Sequence, residues 1–238
     1  MGDEITLFRN ELKYMISLSD YIIMKNRLRH FLKADRFGGQ NNEYHVRSLY
    51  FDDVYDSCLF EKLSGVYSRE KFRIRIYNLS DRIIKFERKY KEGQFVLKKS
   101  TAITRDECNA IIEGKIDLIK NAQSSPLQKF YIKSRNSVYK PAVVVDYVRE
   151  AYTHSVENIR ITFDKKLKTC FKKTDIFNPD LPTFPAINTN SIILEIKFNR
   201  FLPDYIKNII SISSLQRLSI SKYLLCREVN IKNIEVGY

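Results

Sequence analysis

The stretch Lys71-Phe72-Arg73-Ile74-Arg75-Ile76-Tyr77 puts cations at 71, 73 and 75 and large apolar residues at 72, 74 and 76. Side chains alternate across a β-strand, so this run predicts a strand with one oily face and one cationic face. The alternation returns at Ile84-Lys85-Phe86-Glu87-Arg88-Lys89, at Ile159-Arg160-Ile161-Thr162-Phe163 and at Leu194-Glu195-Ile196-Lys197-Phe198. Solvated sheets usually mix the two signs of charge. Here cations dominate, with isolated acids set among them: Glu11 beside Arg9 and Lys13, Glu87 between Lys85 and Lys89, Glu195 beside Lys197. Strands of this kind, gathered in one sheet, build a surface suited to a polyanion.

Outward from that stretch, the chain reads as strands decorated by helices. Residues 11–16 alternate as a strand, and 18–33 read as a helix capped by Ser19 or Asp20, with Ile22, Ile23, Leu28, Phe31 and Leu32 as its apolar stripe. A strand at 47–51 leads through a short helix or turn at 56–63 into a meander. Its strands are 71–77, 83–90 and 95–99, joined by Asn78-Leu79-Ser80-Asp81 and Lys91-Glu92-Gly93-Gln94. Thr104 with Glu107 three residues on is a capping-box signature for a helix over 104–113. Ser125-Pro126 starts another helix, to 138. Strands follow at 142–152, 158–168 and 192–198, with an irregular loop at 172–190 that carries Pro179, Pro182 and Pro185. Paired helices at 204–212 and 214–229 end the pattern. About eight mostly antiparallel strands suit an α+β fold, an antiparallel eight-stranded β-barrel with helices packed outside, as a single domain over 1–238.

The oily faces need a cover and amphipathic helices are available, so the cationic faces are expected to turn away from the helices, into the barrel. Like charges there repel by roughly 1–4 kcal/mol per close pair, and an unpaired buried charge costs several kcal/mol. Such a lumen must be wet and occupied by an anion. A polar tunnel for a phosphate chain meets both conditions.

Composition agrees without deciding. A formal net charge of +13 on 238 residues favours a phosphate-bearing partner, although a Lys, Ile and Asn bias also follows from an AT-rich genome. Cys58, Cys108, Cys170 and Cys226 form no CxxC pair, which argues against a zinc cluster and fits small buried hydrophobes in a reducing, cytoplasmic setting. No signal peptide is recognisable, and no apolar run reaches the ~18 residues of a membrane span. No Walker-type or dinucleotide glycine loop occurs. His30, His45 and His154 stand in no triad or metal spacing.

Arg9-Asn10-Glu11-Leu12-Lys13-Tyr14, Leu49-Tyr50-Phe51-Asp52, the 71–77 strand and Phe86-Glu87-Arg88-Lys89 together resemble a VTC domain. So do Tyr147-Val148-Arg149-Glu150-Ala151-Tyr152, Leu194-Glu195-Ile196-Lys197 and Ser219-Ile220-Ser221-Lys222-Tyr223, in the family's order along nearly the whole chain. This is the polyphosphate polymerase module of the vacuolar transporter chaperone family and of stand-alone bacterial relatives. The resemblance implies the triphosphate tunnel (CYTH-like) metalloenzyme fold and transfer of the terminal phosphoryl group of ATP to a growing polyphosphate, with Mn2+ or Mg2+. It implies Lys13, Arg73, Arg75, Lys89, Arg160 and Lys222 as catalytic cations, and Lys98, Arg149, Lys85, Lys197 and Tyr147 as substrate-binding groups. Glu195 is implied as the metal ligand.

Hydrolytic relatives usually open with Glu-x-Glu-x-Lys. Arg9 stands at the first acid here, which favours the polymerase branch and leaves Glu11 either as a ligand or as an ion-pair partner. Glu87 reads as a carboxylate that orients Lys85 and Lys89. Arg149 and Lys222 have an alternative reading as salt-bridged or solvated residues. Arginine forks grip phosphate oxygens bidentately, and Arg73 and Arg75 lie about two strand rises apart, near the repeat of a phosphate chain. Two other functions stay open: a metal-dependent triphosphatase of the same fold, and a non-catalytic polyphosphate- or nucleic-acid-binding module. Nucleic acid is disfavoured, because the strand aromatics lie opposite the cations. Moving product across a membrane would require a membrane-protein partner.

Overall fold

The computed structural model describes residues 10–39, 41–93, 95–171, 175–210 and 215–235. Among them are ten strands and six α-helices: β1 (Asn10–Ser17), α1 (Leu18–Leu28), β2 (Lys33–Ala34), β3 (Glu43–Asp52), α2 (Ser57–Leu63), β4 (Ser68–Tyr77), β5 (Ser80–Glu92), β6 (Phe95–Ile103), α3 (Arg105–Ile112), α4 (Ser125–Ser137), β7 (Lys140–His154), β8 (Ile159–Thr169), β9 (Phe184–Pro185), β10 (Ser191–Phe198), α5 (Asp204–Ile210) and α6 (Lys222–Glu235). The chain divides into two compact units. The first is Met1–His45, Tyr147–Leu167 and Ile187–Ser221; the second is Val46–Asp146, Lys168–Ala186 and Lys222–Tyr238. The class is α+β with antiparallel pairing, as expected.

In the second unit the strand order is β3-β4-β5-β6. The β4–β5 hairpin closes on two residues, Asn78 and Leu79, both left-handed at φ 51° and 55°, a two-residue loop whose twist matches the strands. At the next turn Gly93 is required twice over. Its φ is +55°, and a Cβ there would stand 2.7 Å from the Tyr67 ring. The apolar faces of these strands are covered by α4, whose Phe130 meets Phe51, Phe72 and Phe86 edge-on at 5.1, 5.3 and 5.1 Å. Glu70, on the same face, clamps the helix by pairing with Arg88 of β5 and, at 3.2 Å, with Lys133 of α4. The predicted capping box of α3 forms: the Thr104 hydroxyl accepts from the Glu107 N–H at 3.1 Å, and Glu107 accepts from the Thr104 N–H at 2.7 Å.

In the first unit the order is β1-β10-β8-β7, with β2 paired to β7. Ile16, Ile161, Phe163, Leu194 and Ile196 form an apolar floor under α1 and α5. Helix α1 departs from its predicted form. It ends at Leu28, and its inward residues are Tyr21, Met24 and Leu28, while Ile22 and Ile23 are 49% and 44% exposed. The cap sets this register. Ser17 and Asp20 form a capping box, and the Tyr21 hydroxyl donates to the buried Glu150 at 2.5 Å. Beyond the helix, Phe31 is exposed and Lys33–Ala34 pair with β7.

The chain end differs as well. Residues 215–221 are extended rather than helical: the Leu218 N–H donates to the Lys13 carbonyl at 2.9 Å, and Arg217 bridges to Tyr14. A backbone spent on covering the edge of β1 cannot also satisfy a helix. The last helix therefore starts at Lys222, and α5 and α6 belong to different units rather than forming a pair. The expected residues Arg9, Gln94, 172–174, Ile212 and Ser214 lie outside the described residues. The four cysteines are free and buried, as small hydrophobes are. No helix of the described residues is long and apolar enough to cross a membrane.

Candidate functional site: two cation-bearing strand faces

Within the second unit, strand register lines up the polar face in three rows. Ser48 stands opposite Arg75, and Arg75 opposite Lys85. Tyr50 stands opposite Arg73, and Arg73 opposite Glu87. Lys71 stands opposite Lys89, and Lys89 opposite Lys98. Like charges directly opposite one another destabilise a sheet, so a row of three lysines is a feature that folding alone would not select. These three rows hold six cations and one carboxylate, Glu87, and Asp52 lies two residues beyond Tyr50 on the same face of β3.

Glu87 is 2% exposed and holds the cluster together. The Arg73 Nε donates to its Oε2 at 2.5 Å, the Lys98 Nζ lies 2.5 Å from Oε1, and an Arg75 Nη1 stands at 3.8 Å. Burial alone would raise the Glu87 carboxyl. The charges of Arg73, Arg75 and Lys98 overcome this and hold it well below the usual carboxylate range. Burial pushes the Lys98 ammonium down to about 8; Glu87 opposes that shift, and Arg73 and Arg75 add to it. Arg73 also donates from Nη1 to the Tyr50 phenol at 2.6 Å, and Arg75 from Nε to the Ser48 hydroxyl at 3.1 Å. Burial pushes the Lys71 ammonium, 3.6 Å from the Tyr223 ring centroid, down to about 7. Glu87 takes as partners Arg73, Arg75 and Lys98, which come from the two neighbouring strands. Arg73 stands directly opposite Glu87, and Arg75 and Lys98 reach it diagonally from the rows on either side.

Within the first unit the corresponding face carries Glu195 opposite both Lys13 and Thr162, and Lys197 opposite both Glu11 and Arg160. Glu195 lies 2.6 Å from Lys197 and 3.7 Å from Lys13; Glu11 lies 3.2 Å from Lys13 and 3.7 Å from Lys197. Lys13 also donates to the Ile220 carbonyl at 3.3 Å. The Thr162 hydroxyl is buried and has no hydrogen-bond partner among the described residues.

Arg149 pairs bidentately with the buried Asp164 at 2.6 and 2.8 Å and lies 5.2 Å from the Tyr147 ring. Arg160 donates to Asp35 at 2.6 Å and to the Tyr44 phenol at 2.9 Å. The salt-bridged alternative for Arg149 is thus what the geometry shows, though a guanidinium has more donors than Asp164 uses.

The second unit therefore gathers Arg73, Arg75, Lys85, Lys89 and Lys98, and Lys222 opens α6 beside Tyr223. The first unit gathers Lys13, Lys197 and Glu195, and fixes Arg149, Tyr147 and Arg160 through other partners. Sequence reasoning passed over Tyr50, Ser48, Asp164 and Tyr223. Only Ser48 and Tyr50 left a signal, as polar alternates of Leu49 and Phe51.

These faces define a class: an antiparallel α+β protein with cation-rich strand faces, of which the one on β3 and β4 meets Tyr223 of α6 instead of turning away from every helix. The family model for the VTC domain matches residues 8–230, and the chain belongs to that family. Among solved structures the chain is similar to a candidate adenylate cyclase from Bacillus halodurans, at 14% identity over 100% of this chain and 93% of that one, with a TM-score of 0.47. It is also similar to the PH1819 protein of Pyrococcus horikoshii, at 14% identity over 95% and 99% of the two chains, with a TM-score of 0.45. A search of curated proteins finds no match.

Proposed function

We propose that this protein is an ATP-dependent polyphosphate polymerase that transfers the terminal phosphoryl group of ATP to a polyphosphate end. The proposal takes the strands to close into the eight-stranded tunnel that the family resemblance implies. Membership of the VTC domain family supports a phosphate-related role. The observation that carries the reading is the face on which Arg73, Arg75, Lys71, Lys85, Lys89 and Lys98 gather about the Glu87 carboxylate. Phosphoryl transfer asks for positioning and charge neutralisation more than for covalent chemistry. Pinned arginines supply the first, and excess lysines the second. A polyphosphate end is already an anionic nucleophile, so no general base is required.

The acids near Lys13 and Lys197 suit a hard divalent cation. Mg2+ and Mn2+ are commonly held by one or two carboxylates, with substrate oxygens completing the shell. Glu195 would hold such an ion, with Glu11 and the unpartnered Thr162 hydroxyl as the other oxygen donors at hand. No set of three or more His, Cys, Asp or Glu groups suited to a metal occurs among the described residues, so substrate oxygens would have to complete the shell. When bound, the ion would neutralise charge developing on the phosphate oxygens.

Purified protein given ATP and Mn2+ or Mg2+ should yield ADP and a ladder of phosphate chains on a gel. Free phosphate without a ladder would replace this reading with the triphosphatase. Polyphosphate binding with neither product would leave a binding module.

A further inference from the structure

The Arg73 guanidinium is fixed from two sides, and one side leads away from the charged face into the fold. Its Nε is tied to Glu87 and its Nη1 donates to the Tyr50 phenol. The Tyr50 ring packs on Tyr223 of α6, with centroids 5.3 Å apart and planes at 52°. The Tyr223 hydroxyl donates to Asp52 Oδ2 at 2.6 Å. Asp52 is fully buried, and its other oxygen accepts the backbone N–H groups of Asp53 and Cys58 at 3.0 and 2.8 Å, where α2 begins. Burial and the Asp52 carboxylate raise the Tyr223 phenol, which keeps it protonated and donating. Helix α6 is itself anchored: Arg227 donates to the Ala142 carbonyl at 3.3 Å and pairs with Asp56 at 2.5 Å, and Asn230 donates to the Cys170 carbonyl at 3.4 Å.

A carboxylate alone leaves a guanidinium free to swing about one edge, whereas a second acceptor fixes its plane. Tyr50 is that second acceptor. A tyrosine ring in turn needs a neighbour to select one orientation, and Tyr223 is that neighbour, locked by Asp52. We propose that Tyr50 and Tyr223, with Asp52 as anchor, are positioning residues that orient Arg73 for the phosphates of a polyphosphate or triphosphate ligand. This rests on the reading above that Arg73 binds phosphate. It adds a dependence of that arginine on the helix formed by residues 222–235, which touches no substrate through Tyr223.

The test is a double-mutant cycle read by calorimetric binding of tripolyphosphate, without metal or turnover. Arg73→Ala should lower affinity by about tenfold or more, Tyr50→Phe by about three- to tenfold and Tyr223→Phe by about threefold, in line with one charge-assisted or neutral hydrogen bond. The melt of Tyr50→Phe should stay close to wild type, while Tyr223→Phe takes a donor from the buried Asp52 and should melt lower by several degrees, so affinity is read well below that transition. In the Arg73→Ala background, Tyr50→Phe and Tyr223→Phe should each lose their effect, because they act through the missing guanidinium. Equal losses with and without Arg73 would overturn the positioning role, and so would unchanged affinity in both Phe variants. Unchanged affinity in Arg73→Ala would instead remove the phosphate-binding reading itself, and the positioning role with it.

Discussion

The two carboxylates set among cations, Glu87 and Glu195, have alike sequence surroundings and different neighbours in space. Glu87 is gripped by two arginines and a lysine, at 2.5 Å for the closest contacts. The ion pairs of Glu195 are with Lys197 and Lys13, at 2.6 and 3.7 Å, and the charge of Arg149 also acts on it. A guanidinium is a rigid fork that holds a carboxylate in place, while an ammonium on a four-carbon stem swings away at little cost. On the proposed reading a divalent ion competing for Glu195 would displace lysines from it, but one competing for Glu87 would have to break an arginine clamp. Under the proposed function the same pattern of one acid among cations would build two devices, a fixed keystone and an exchangeable ligand.

Neutralising each acid separates the two most sharply. Glu195→Gln should lower metal-dependent turnover by about a hundredfold or more, the scale of losing charge stabilisation at the reacting phosphate, while metal-free tripolyphosphate affinity stays at the wild-type level or rises. Full turnover in that variant would reject Glu195 as the metal ligand. Glu87→Gln should show the reverse emphasis. It leaves buried cations short of their counter-charge, costing about 3 kcal/mol of stability at neutral pH, measurable in urea melts, and phosphate affinity falls because Arg73 is no longer held.

That stability difference has a defined pH sign. The Glu87 carboxyl lies lower in the folded chain than its ordinary 4.5, so the unfolded chain takes up the proton first as pH falls. The stabilisation is present above 4.5 and is lost as pH drops through the folded value. Wild type and Glu87→Gln should converge in acid. A constant gap down to pH 2–3, about the floor of ordinary carboxylates, would show that Glu87 stabilises by packing instead of charge.

What the sequence disclosed about these devices follows from period and reach. Strand alternation is local, so the cationic rows of 71–77 and 84–89 and their oily reverse sides were legible, and α4 covers the latter through Phe130. Caps are local too, which is why Thr104 and Glu107 were read correctly. The stripe of α1 misled because Ile22 and Ile23 look like core, while a buried acid 129 residues from Tyr21 sets which side turns in. Arg73, Arg75 and Lys98 were missed as partners of Glu87 for the same reason, since they come from β4 and β6, and no spacing along β5 encodes a contact from another strand. The final helix was placed eight residues early because helix propensity in 215–221 yields to the hydrogen bonds those residues make along β1.

The smallest expected effect tests whether the lysines near Glu87 work as removable charge. Lys98 is pushed down to about 8 by burial, with Arg73 and Arg75 pushing the same way against Glu87, so in the free protein it sheds its proton as pH rises from 7 to 9. A phosphate chain binds the charged form and must then restore that proton, so affinity falls with pH through this group. Lys98→Arg stays charged throughout. The ratio of variant to wild-type tripolyphosphate affinity should rise several-fold, about tenfold at most, between pH 7 and 9. Taking the ratio cancels the ligand's own ionisation and the titration of Lys71, which both proteins share. A flat ratio would mean that the half-exposed Lys98 keeps its proton at pH 9 or stands away from the bound chain, and the other cations of this face would then carry the phosphate contact.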